Sequence, residues 1–187
     1  MAQLALRSNW ALQWAALAMM WVLLAGVAWA KNPVLEAFEG AYSGSAEVVS
    51  QDGTSSNRDM SVEIAKTKAG FSVAWSTTSV RADGSINEKD YLIEFVPSER
   101  DDVYAAAMER NVFGHEVQLN PMKGEPFVWA RIKDGTLTVF SLFVDEVGEY
   151  ELQQFDRTLV EGGLQLQFRA VRNGEVTRSV ETFLAKQ

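Results

Sequence analysis

Side chains suited to acid–base, nucleophilic or metal chemistry are scarce in this chain. His115 is its one histidine, and none of its 187 residues is cysteine. Zinc and copper sites draw on several His or Cys ligands, so neither metal finds a donor set. Without cysteine there is also no thiolate nucleophile and no disulfide. Carboxylates for calcium do occur together, as Asp145, Glu146, Glu149 and Glu151. The D-x-[DN]-x-[DN]-G spacing of a calcium loop is missing, however, and the plainer reading is a solvated turn that keeps a strand edge from pairing. Asp101 and Asp102 are neighbours, and extended chain sends neighbouring side chains to opposite faces, so they do not form an acid–base pair. There is no G-x-S-x-G elbow for a serine nucleophile and no glycine-rich nucleotide loop. The expectation is a protein with no catalytic residue, no metal and no cofactor.

Binding chemistry has better material. In Phe127-Val128-Trp129-Ala130-Arg131-Ile132-Lys133, one face of an extended chain carries Phe127, Trp129, Arg131 and Lys133, and the other carries Val128, Ala130 and Ile132. Register decides the meaning. With the aromatic face inward, Trp129 is a pocket wall and Arg131 meets an anionic head group, because a buried guanidinium demands a partner. With that face outward, Phe127 and Trp129 form an apolar patch of the kind used to dock proteins. A second candidate is the segment 98–126, long for a connection between strands and so either a lid or a further strand or helical turn over Val103–Arg110 with a plugging loop. There Phe113 offers apolar contact, and His115 is the side chain able to change charge near neutral pH.

The elements that must position these residues are strands. Asp134-Gly135 and Asn173-Gly174 separate β-prone runs and supply the positive φ angles of two-residue hairpin turns. Weaker punctuation falls at Lys68-Ala69-Gly70, Asp83-Gly84-Ser85, Val147-Gly148 and Glu161-Gly162-Gly163. Between them, Leu164, Leu166, Phe168 and Ala170 alternate with Gln165, Gln167 and Arg169, and Phe71, Val73 and Trp75 alternate with Ser72, Ala74 and Ser76. This is the period of a strand with one buried face. Strands are predicted over 40–49, 59–67, 71–80, 89–96, 127–133, 136–144, 149–155, 164–172 and 177–184. Neighbouring hairpins of this kind close most simply into an antiparallel up-and-down β-barrel of about 8–9 strands, which leaves no bare edge. A β-sandwich is the alternative, but its crossings need longer connections than most of these turns supply.

Residues 1–30 differ from the rest. They hold one charge, Arg7, then an uncharged apolar run from Trp14 to the Ala28-Trp29-Ala30 end. That is the pattern of a secretory signal peptide cleaved after Ala30, leaving 31–187 as a single barrel domain. An uncleaved anchor is the competing reading, since about 17 apolar residues can just span a bilayer. Export combined with neither cysteine nor an N-x-[ST] sequon points to a bacterial periplasm. Asp and Glu outnumber Lys and Arg, 25 to 17, for a net charge of −8. Such a charge repels a phosphate backbone and anionic lipid, so nucleic acid and stable membrane insertion after cleavage are not expected.

The first strand opens with Phe38-Glu39-Gly40-Ala41-Tyr42, which resembles the Gly-x-Trp opening of lipocalins and related calycin barrels, with Tyr42 at the Trp position. The late arginine that accompanies this motif is matched by Arg169 or Arg178. The resemblance implies a barrel open at one end to a small hydrophobic or amphipathic ligand. Phe71, Trp75, Tyr91, Phe95, Phe113, His115, Trp129 and Arg131 are then the candidate ligand-binding residues. The alternative is a solid barrel acting as an interaction module of the cell envelope, with Phe127, Trp129 and Phe140 as its docking face.

Overall fold

The computed structural model describes residues 33–50, 55–80, 84–107, 109–110, 116–117 and 119–187. The expected signal peptide, Phe113 and His115 therefore lie outside the described residues. A short helix, α1 (Pro33–Phe38), leads into β1 (Gly40–Ser50), β2 (Ser55–Lys66), β3 (Phe71–Val80), β4 (Ile86–Pro97) and β5 (Val103–Ala106). An insertion follows, with the two-residue strands β6 (Glu109–Arg110) and β7 (Glu116–Val117) and a 3-10 turn at Pro121–Lys123. The chain then completes β8 (Phe127–Lys133), β9 (Thr136–Val144), β10 (Tyr150–Val160), β11 (Gly163–Arg172) and β12 (Glu175–Lys186). Among the described residues no helix is long and apolar enough to cross a membrane.

β1–β5 and β8–β12 form one closed barrel in which each strand pairs antiparallel with its neighbours in the chain, and β1 closes on β12. Closure rules out the sandwich. Ten strands exceed the expected eight or nine because Val103–Ala106, within the segment read as either a lid or a further strand or helical turn, forms a wall strand between β4 and β8. The turns behave as their residues require: Asp134 and Gly135 have φ of 50° and 73°, and Asn173 and Gly174 have 49° and 89°.

Four tight turns, β2–β3, β4–β5, β8–β9 and β10–β11, gather at one end, where α1 also sits. That end is solid. Leu35 and Phe38 join Phe71, Phe95, Leu137, Leu164 and Leu184 in one buried cluster. Phe71 stacks on Phe95 at 5.2 Å and meets Tyr104 edge-on at 5.0 Å. Each such side chain contributes roughly 1.5–3 kcal/mol by leaving water. The Tyr42 hydroxyl donates to the Phe38 carbonyl at 2.8 Å, which ties α1 to the barrel floor. Close approach here needs glycine: a Cβ on Gly163 would stand 2.0 Å from the Leu184 carbonyl oxygen. The cation over the Tyr42 ring is Lys186, at 5.6 Å, and its ammonium also donates to the Glu39 carbonyl. Neither expected arginine is there. Arg169 lies on the outward-facing set of β11, and Arg178 lies over Phe168 near the opposite end.

That opposite end is looser. β4 pairs with β5 only from Phe95 to Pro97, so on that side the upper part of β4 runs without a β5 partner, and Tyr91 and Leu92 are exposed.

Candidate functional site

Alternation carries a mixed set of side chains into the open half of the barrel. From β2 come Arg58 and Met60, from β3 Trp75, and from β4 Asn87, Lys89 and Tyr91. From β10 come Gln153, Phe155 and Arg157, and from β11 and β12 Phe168 and Arg178. Together they surround a cavity of about 410 Å3. One wall is aromatic: Trp75 stacks on Tyr91 at 5.1 Å and tilts against Phe155 at 5.5 Å, and Phe155 contacts Phe168 at 4.7 Å.

Among the described residues, four cations, Arg58, Lys89, Arg157 and Arg178, line this space, and no Asp or Glu does. They are not equivalent. Arg178 is answered by Glu151, whose carboxylate oxygen lies 3.0 Å from its Nη2. Arg157 is deepest: it is 1% exposed, and its cross-strand neighbours are Leu137 on β9 and Leu166 on β11. Among the described residues no group accepts a hydrogen bond from its Nε or Nη1. Its guanidinium carbon lies 5.6 Å from the Trp75 ring centre and 5.5 Å from that of Phe155. Removing a guanidinium from water costs several kcal/mol. Two ring faces return about 2 kcal/mol each in a desolvated setting. Burial pushes the Arg157 pKa down to about 10, and the adjacent Asp156 pulls it back upward. The group therefore keeps its charge at neutral pH.

Asp156 is no partner on the inner side. It follows the alternation outward, where its carboxylate accepts from the Thr138 hydroxyl and the Gln154 amide at 2.6 Å each.

The structure divides the candidate residues into three groups. Trp75 and Tyr91 line the cavity. Phe71 and Phe95 point inward but belong to the solid floor below it, both fully buried in the apolar cluster. Trp129 and Arg131 point away from the interior, because Val128, Ala130 and Ile132 supply the inner face of β8. This register corrects the pocket role considered for the aromatic face. Ala130 is fully buried opposite Val139 and Tyr104, and the space there takes a small side chain, not an indole. On the outer surface Trp129 stacks on Phe140 at 4.8 Å and touches Phe127 at 5.7 Å.

Among proteins of known structure, the chain is similar to the S-type phycobiliprotein lyase CPES from Guillardia theta, with a TM-score of 0.39 and 8% identity over 83% of this chain and 92% of that one. No protein-family model matches the sequence, and no curated protein matches it. The closed antiparallel barrel fits the calycin-like character of the Gly40-Ala41-Tyr42 opening.

Arg157, Arg58 and Phe168 are not among the residues that the sequence nominates for a pocket. Phe168 is visible in its strand as an inward residue. Arg157 lies beyond Phe155, where the predicted strand ends, in a run whose inward positions, Glu151, Gln153, Phe155, Arg157 and Leu159, are too mixed to display a period. The acidic turn is also accounted for. Asp145 accepts from the Val147 and Glu149 N–H groups, and Asp145 and Glu149 both contact Arg172, at 2.7 and 3.1 Å. Among the described residues no cluster of three or more His, Asp or Glu side chains suited to a metal occurs.

Proposed function

We propose that this protein is a binding protein that holds a small amphipathic molecule inside its barrel, in the bacterial periplasm. The observation that carries the reading is the cavity of about 410 Å3 at the end away from α1. Small-molecule sites occupy about 300–1,000 Å3, with apolar and aromatic walls and a few placed polar groups. Barrels of this size either fill with side chains or hold one small ligand. Here the floor is filled and the upper half is not. The periplasmic address rests on the export-type pattern of residues 1–30.

Titration of the full chain with N-phenyl-1-naphthylamine, a neutral apolar dye that brightens out of water, tests the reading. Saturable uptake at one site, lost on heat denaturation, is the expected result. Absence of uptake of this dye and of its anionic analogue alike overturns it.

A second reading, docking of a protein partner on the outer face, is favoured by the stacked Phe127, Trp129 and Phe140 rings. Photocrosslinking from position 129 in cells separates the two, because an outward residue captures protein only if that face is covered by a partner.

A further inference from the structure

Resting on the binding reading above, we propose that the molecule held in the barrel carries a singly charged oxyanion, of the carboxylate or sulfonate kind, and that Arg157 on the cavity floor receives it. Three observations converge on this residue. The chain as a whole is acidic, with 25 Asp and Glu against 17 Lys and Arg, yet among the described residues its cavity is lined by four cations and no acid. Charge has been sorted against the average of the molecule. Second, Arg178 near the mouth has Glu151 as its counter-ion, whereas Nε and Nη1 of Arg157, in a side chain 1% exposed, have no acceptor among the described residues. Third, its cross-strand neighbours on both sides are apolar, Leu137 and Leu166, so an apolar residue would suit the layer better than a charge. A buried unpaired cation in a leucine layer is a liability for folding and is explained by a bound anion.

The arrangement also sets the orientation of the ligand. Arg58 and Lys89 belong to the same lining, and cations of one sign in a low-dielectric cleft raise the local concentration of anions. The charged group travels to the floor, where the planar guanidinium offers donors matched to an oxyanion. The apolar body then lies against Phe155, Phe168 and Met60, nearer the mouth. Trp75, which covers the guanidinium at 5.6 Å, is displaced or repacked as the anion arrives, so its fluorescence reports binding.

The test compares two dyes with one apolar skeleton: N-phenyl-1-naphthylamine, which is neutral, and 8-anilinonaphthalene-1-sulfonate, which adds one sulfonate. Both are titrated into the full chain and into Arg157→Met. The inference expects the sulfonate to bind at least about tenfold tighter than the neutral dye, a difference of about 1.4 kcal/mol. In Arg157→Met that preference disappears while affinity for the neutral dye stays within about twofold, a margin far below one such tenfold step. If Arg157→Met does not fold, Arg157→Lys replaces it; it keeps a charge but loses the planar fork, and sulfonate affinity drops while neutral-dye affinity holds. Equal affinity of the wild type for both dyes, or a sulfonate preference that survives both substitutions, overturns the anion assignment and leaves the binding reading standing. Uptake of neither dye overturns both.

Discussion

The guanidinium carbon of Arg157 lies 5.6 Å from the centre of the Trp75 ring, so the deepest cation of the barrel is covered by an indole face where a carboxylate would ordinarily stand. Cation–π contact of this kind recovers only part of the hydration a guanidinium loses. The site therefore trades stability of the unliganded barrel against readiness for an anion.

Replacing Arg157 by Met is expected to stabilise the unliganded protein by about 1–3 kcal/mol, in line with buried charges exchanged for apolar side chains of similar volume. Urea denaturation measures it. The effect has a pH signature. Because burial lowers the folded-state pKa to about 10, below that of the unfolded chain, the penalty on the wild type is complete below about pH 10 and fades as the pH rises above it. The gap between variant and wild type should narrow over that window; a constant gap would show that charge is not its source.

Trp75→Leu removes the indole from both Arg157 and Tyr91, its stacking partner at 5.1 Å. A loss of about 2–3 kcal/mol is expected, below the range for a fully buried Trp because Trp75 is only half-buried. Thermal melting followed by circular dichroism reads the change. Trp129→Leu, on the outer face, should leave dye binding unaltered.

The Tyr42 hydroxyl fastens α1 to the barrel through the Phe38 carbonyl. Tyr42→Phe keeps the ring beneath Lys186 and deletes only that bond, so a loss of about 1–1.5 kcal/mol is expected. Hydrogen exchange should rise at the Glu39 amide, which donates to the Glu36 carbonyl at the end of the same helix.

Gly163→Ala and Gly124→Ala offer an internal contrast. At Gly163 the new methyl would stand 2.0 Å from the Leu184 carbonyl oxygen, on the rigid ladder between β11 and β12. A loss above about 3 kcal/mol is expected, since backbone cannot give way as a flexible side chain can. At Gly124 nothing lies nearby and the difficulty is φ of +79° alone, so the loss should be about 1 kcal/mol. Equal losses would mean that the closed end is softer than its packing.

Much of the barrel is legible in the order of its residues. The strands at 71–80, 127–133 and 136–144 fall where alternation and turn residues place them. β5 is only half legible, since a strand over Val103–Arg110 is one of two readings of its segment. Four residues are too few to show a period, and Val103–Ala106 becomes a strand because it finds β4 on one side and β8 on the other. The inner face of β8 is equally hidden. Its outward set pairs two large aromatics, Phe127 and Trp129, with two charges, Arg131 and Lys133, and the small buried layer at Ala130 leaves the interior to Val128, Ala130 and Ile132. Within the site, Trp75 and Tyr91 are readable as inward aromatics, while Arg157 is concealed by the general rule that arginine faces water.

By itself the sequence determined the antiparallel order, because Asp134-Gly135 and Asn173-Gly174 are local devices whose φ angles reverse the chain wherever they stand. It also determined which residues share a face, since that follows from the two-residue period of extended chain. Only the tertiary structure decided which of the two faces looks inward and how deep each layer lies. Those are properties of ten strands meeting in a ring, and the depth of Arg157 is set by Leu137 and Leu166 on other strands, not by anything in its own neighbourhood of the chain.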